Sequence, residues 1–125
     1  MNTVQEARRY LSNAREILRE KAHKDNGYYQ DRKYVRMAGN TAYSGILVAF
    51  DSLLAEKIKG RKDVNWYKEK LAKLDKGVLT SFVSAYDTLH LALGYDGNLN
   101  AKVASAGLED AESLIDWVEK RTAST

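Results

Sequence analysis

No cysteine and no proline occurs in the 125 residues, and histidine occurs only as His23 and His90. Without cysteine there is no disulfide, no thiolate metal site and no cysteine nucleophile, a composition suited to a reducing cytosol. Average usage would supply about 6 prolines in this length, so nothing of that kind interrupts long helices. Long apolar runs are missing as well: the stretch from Gly45 to Phe50 falls far below the ~20 residues of a membrane span. Met1 is followed by polar Asn2 and Thr3 rather than by a signal segment, and a cytoplasmic protein that does not enter membranes is expected. There is no glycine-rich loop followed by Lys-Ser/Thr, which excludes that mode of phosphate binding, and no alternating run of β-branched residues.

What is present is the composition of one folded domain. An apolar fraction of 44% beside 30% charged residues argues against disorder, and the length suits a single domain spanning 1–125. The net charge of +3 hides an asymmetry. Residues 1–62 carry 13 Lys/Arg against 7 Asp/Glu, and residues 63–125 carry 7 against 10, so the two parts stand at +6 and −3. A basic first half suits an anionic partner such as nucleic acid, although solvated helix faces account for the same numbers.

Apolar spacing places the helices. Thr3 and Glu6 fit a capping box, and Val4, Ala7, Leu11, Ala14 and Leu18 then form one stripe as far as about Ala22, before Lys24-Asp25-Asn26-Gly27 breaks the pattern. A second helix starts near Asp31, carries Val35, Ala38, Ala42, Ile46, Ala49 and Leu53, and continues to about Ile58, with a small-residue middle at Gly39, Ala42, Gly45 and Ala49. Asp63 caps a short third helix through Trp66, Leu71 and Leu74 that ends at Gly77. The fourth presents Leu79, Phe82, Val83, Tyr86, Leu89, His90 and Leu93 and stops at Gly94-Tyr95-Asp96-Gly97. The fifth opens at Asn98 or Asn100, carries Val103, Ala104, Ala111, Leu114, Ile115 and Val118, and has Gly107 as a bend. The fold class is all-α, an antiparallel up-and-down bundle of four long helices plus one short helix.

Three groups of residues could carry chemistry. Asp87 and His90, three apart, would be neighbours on one α-helical face, as in half of a ferritin-like ligand set, but no second pair completes a metal site. Arg36, Asn40 and Tyr43, with Asp51 further on, lie along one flank of the second helix and would line a polar groove. With Asp87 and His90, the residues Arg36, Asn40 and Tyr43 are the ligand-binding candidates. Tyr28, Tyr29, Arg32 and Lys33 interleave aromatics with cations, the pattern of a surface that stacks bases and contacts phosphates. His23 sits near a helix C-terminus, where the dipole favours a basic side chain.

Helix one, Ala7-x3-Leu11-x2-Ala14-x2-Ile17-Leu18, and helix two, Ala38-x3-Ala42-Tyr43-x5-Ala49-Phe50-x2-Leu53-Leu54, resemble the HEPN superfamily (higher eukaryote and prokaryote nucleotide-binding domains). They also resemble a group of short Bacteroidetes proteins. HEPN ribonucleases use an Arg, four to six residues and then a His. Here Arg19 precedes His23 with three residues between, and the last Arg before His90 is Arg61, too far back. The resemblance therefore implies a non-catalytic role. The expectation is a binding or interaction module, not an enzyme, with no cofactor and no metal, and with a protein partner or a second copy as its target. The alternative is a nucleic-acid- or nucleotide-associated protein, such as the partner of a minimal nucleotidyltransferase, and behind that a metal-binding bundle.

Overall fold

Asn2, rather than Thr3, opens the first helix. Its side chain accepts from the Gln5 N–H at 2.8 Å while the Gln5 side chain accepts from the Asn2 N–H at 3.2 Å. The capping box is thus shifted one residue from the expected Thr3/Glu6 pair, because Asn caps as well as Thr and Gln reaches back as well as Glu. The computed structural model describes residues 2–54 and 62–123.

Helix α1 spans Thr3–Lys21 and buries Val4, Ala7, Leu11, Ala14 and Leu18. Asn26 and Gly27, at φ 50 and 84, then form a two-residue turn that pairs β1 (Lys24–Asp25) with β2 (Tyr28–Tyr29). Asn-Gly suits such a turn because both positions need positive φ. The break in the helical pattern expected at residues 24–27 is therefore a small hairpin, too short for sequence periodicity to reveal. Helix α2 (Arg32–Leu53) starts at Asp31 as expected, with the Asp31 side chain as its cap; its extension to Ile58 lies outside the described residues. Helix α3 (Val64–Leu74) is capped by Asp63.

Gly77 does not end α3. Asp75 closes α3 and also caps α4 (Lys76–Ala85), accepting from the Val78 N–H at 3.0 Å, so Gly77 falls in the first turn of α4. Helix α4 then runs without a break into a π-helix, π1 (Tyr86–Tyr95). In π1 the buried positions repeat every four residues, through Ala85, Leu89, Leu93 and Gly97, because i→i+5 bonding puts more residues in each turn. Helix α5 (Ala101–Ala123) follows; Asn100 accepts from the Lys102 N–H at 2.9 Å, and Asn98 accepts from the Asn100 N–H at 2.9 Å.

The helices pack as an all-α antiparallel bundle, with α1, π1 and α5 all against α2. Phe50, Phe82, Ile46, Leu71, Leu89, Leu93, Leu114 and Ile115 are its largest fully buried side chains, and no polar residue is buried among the described ones. No described helix is long and apolar enough to cross a membrane.

The charge asymmetry is partly internal. Arg8 of α1 reaches Asp116 at 2.7 Å and Glu119 at 3.1 Å on α5, and Arg15 reaches Glu112 at 2.9 Å. Basic residues of the first half thus meet acidic residues of the second across one seam.

Candidate functional site

The candidate site is the seam between α2 and π1. A wide helix needs room, and glycines of two neighbours provide it. A Cβ at Gly39 of α2 would lie 2.6 Å from Leu93 Cβ and 2.8 Å from the Gly94 nitrogen, and one at Gly107 of α5 would lie 2.7 Å from Leu89 Cδ2 and 2.8 Å from Thr88 Oγ1. Gly107 is accordingly a contact position. Inside the helix the Thr88 hydroxyl donates to the Ser84 carbonyl at 2.9 Å, a back-bond that loosens regular α geometry.

The end of π1 is closed by backbone and side chains together. Asp96, Gly97 and Asn98 donate to the carbonyls of Leu91, Leu93 and Ala92 at 2.9, 2.9 and 2.8 Å, with Gly97 at φ +65. Arg32 of α2 donates to the carbonyls of Asp96 and Gly97 at 3.1 and 3.2 Å, and the Asn40 side-chain amide donates to the Gly94 carbonyl at 3.3 Å. Carbonyls left free at a helix end are thus met from the neighbouring helix.

Further along the seam, Tyr43 packs at a tilt against His90, 4.9 Å between ring centroids, and edge-on against Tyr86 at 5.8 Å, with Tyr86 and His90 5.2 Å apart. Burial pushes the Tyr43 phenol well above its ordinary range, with the neighbouring Tyr86 adding to the effect. Among the described residues, His90 Nδ1 is buried and finds no hydrogen-bond partner. A buried imidazole nitrogen without a partner is costly, and a fold tolerates few such groups.

The expected residues are therefore partly brought together. Asn40, Tyr43 and His90 share the seam, and Tyr86, which sequence spacing had placed only in the core stripe, joins them. Arg36 is exposed beside Gly97. Asp87 is exposed and is not a face-mate of His90, because π geometry removes the i,i+3 neighbourhood on which that pairing rested. No group of three metal-ligating side chains occurs among the described residues. Asp51 belongs elsewhere: it accepts from the Tyr67 hydroxyl at 2.7 Å and pairs with Lys62 at 3.3 Å, so the polar flank of α2 is two separate sites.

The aromatic and cationic run is divided too. Tyr29 is buried in the core, Arg32 is engaged at the π1 terminus, and Lys33 lies 5.2 Å over the Tyr34 ring. Tyr28 alone of the four presents a largely exposed ring, at 54%.

Fold and seam define a class of protein: an all-α antiparallel bundle whose fourth helix finishes as a π-helix held against a glycine of the second. The family model described as a domain of unknown function (DUF5618) matches residues 2–120, and the chain belongs to that family. A solved structure described as a protein of unknown function from Dyadobacter fermentans is 56% identical, covers 95% of each chain and superposes with a TM-score of 0.93. No curated protein matches the chain.

Proposed function

We propose that the chain is a non-catalytic, HEPN-like binding module that acts in the cytoplasm as a homodimer, joined through the outward faces of α2 and π1. The observation that carries this reading is the set of large apolar side chains left in solvent there: Met37 at 45%, Leu91 at 37% and Tyr95 at 77% exposure. Exposed apolar groups on adjoining elements favour association.

The occupant we assign is a second copy, because the face is self-complementary in charge. Along the seam Arg36 lies at the Gly97 end, Asn40 at Gly94 and Tyr43 at His90, so exposed Arg36 and exposed Asp87 lie to either side of Leu91 along the seam. A twofold axis near Leu91 then sets Arg36 against the partner's Asp87, twice, with Leu91 at the centre. Such isologous contacts are the usual way small proteins dimerise.

Light scattering after size exclusion tests the reading. A dimer mass is expected for the natural chain, and a monomer mass with unchanged helicity for the Met37→Glu/Leu91→Glu variant. A natural chain that stays monomeric at high concentration refutes it.

A further inference from the structure

An open cleft of about 430 Å³ lies between the second half of α1, the hairpin and the first turns of α5. This is within the range of about 300–1,000 Å³ usual for small-ligand sites. Its walls carry Arg15, Arg19 and Lys24, its floor is made by Leu18 and Tyr29, and Ser105 faces it from α5; among the described residues no acidic one lines it.

Three separately anchored elements bring these side chains together. Arg15 and Arg19 are four apart on α1 and so lie one above the other. The Asn26-Gly27 turn folds Lys24 back against Tyr29 in the β1–β2 register. The start of α5 is fixed to the hairpin by the Ala101 N–H, which donates to the Gly27 carbonyl at 3.0 Å, and by the Tyr29 N–H, which donates to Leu99 at 2.8 Å. The positive end of the α5 dipole thereby opens beside the three cations.

Neutralisation within the protein is weak. Arg15 pairs with Glu112 at 2.9 Å and Arg19 with Glu20 at 3.7 Å, all four side chains being 41% exposed or more, and Lys24 has no ion pair among the described residues. Exposed pairs of this kind are worth about 0–1 kcal/mol. Three cations over a floor in which Leu18 is 4% and Tyr29 9% exposed call for an anion that can accept several charge-assisted hydrogen bonds at once.

We propose that this cleft binds a phosphomonoester dianion, with Arg19 and Lys24 on the phosphate oxygens, Arg15 and the Ser105 hydroxyl donating to the same group, and the organic portion lying on Leu18 and Tyr29. The site is on the α1–α5 side of the bundle and does not depend on self-association. Inorganic phosphate and a nucleoside monophosphate share the recognised group, and separate titrations tell them apart.

The experiment is calorimetric titration of the full chain at ~50 mM salt with inorganic phosphate, adenosine 5′-monophosphate and adenosine, combined with amide NMR shifts. Saturable binding of the monophosphate, with or without binding of phosphate alone, is expected, with shifts centred on Lys24 and Ser105. Arg19→Glu/Lys24→Glu should weaken it about tenfold or more, as loss of two charge-assisted contacts requires. Lys73→Glu/Lys76→Glu, an equal change of net charge at the α3–α4 junction, should leave it within about twofold. Equal loss in both variants, equal binding of adenosine, or no saturable binding of either phosphate overturns the proposal.

Discussion

Gly39 shows how much a single side chain decides at the α2–π1 seam. A methyl group there would meet the Leu89 carbonyl oxygen at 2.5 Å and the Gly94 nitrogen at 2.8 Å, backbone atoms that cannot turn aside. Gly39→Ala is therefore expected to lower stability by about 1–3 kcal/mol, the cost of overpacking a tight contact, measured by urea denaturation. An unchanged midpoint would mean that the helices do not approach as described. Tyr43 makes a second residue-scale prediction, in pH. Its phenol is held above the ordinary 10.0 by burial, so the unfolded chain loses its proton first as pH rises. Stability from this group is complete below about pH 9 and falls as pH climbs through 10 and beyond. Urea midpoints compared at about pH 9 and about pH 11 should fall less in Tyr43→Phe than in the natural chain. His90 is visible in the sequence as a histidine on an apolar stripe, but its packing against Tyr43 and Tyr86 is not, because the Tyr43 contact depends on which helix lies opposite.

At the scale of elements, α1, α2, α3 and α5 were legible because their apolar spacing keeps to the α period for several turns. Asp31 and Asp63 announced two helix starts by chemistry that is local to the chain. Two features were not legible. The hairpin is two residues per strand, too short for any periodicity, although Asn26-Gly27 was its one signal. The π-helix looks like an α-helix in sequence, because Leu89, His90 and Leu93 satisfy both periods; the room made by Gly39 and Gly107 on other elements allows the wider form. Asp75 stands between these cases. In the sequence the Gly77 stop signal outweighs it, yet its side chain caps α4 at 3.0 Å. Asp75→Ala should cost about 0.5–2 kcal/mol, and Gly77→Ala, at a position where a Cβ meets only the Asp75 carboxylate at 3.2 Å, should cost less. The reverse order in thermal denaturation would return the helix boundary to Gly77.

Across the whole molecule, the division into a basic and an acidic half takes on a different meaning. Arg8 and Arg15 spend part of the first half's charge on Asp116, Glu119 and Glu112 of α5, so the surplus that remains for partners is concentrated at Arg19 and Lys24 near the hairpin, beside the exposed Arg15 pair, and at Lys33 and Arg36 on α2. Sequence counting shows the imbalance but not which cations are already engaged, since the pairs lie about a hundred residues apart. The same holds for the candidate site: Arg36, Asn40, Tyr43, Asp87 and His90 were all legible as polar or aromatic positions, while their division into a buried seam and an outward face depends on the π-helix. That outward face bears the proposed dimer, and a charge swap tests it most directly. Sedimentation velocity is to be run on Arg36→Glu, on Asp87→Lys and on the two combined. Each single change should shift the protein to monomer by setting like charges face to face, and the combination should restore the dimer. Three variants with the same mass as the natural chain would contradict association through α2 and π1.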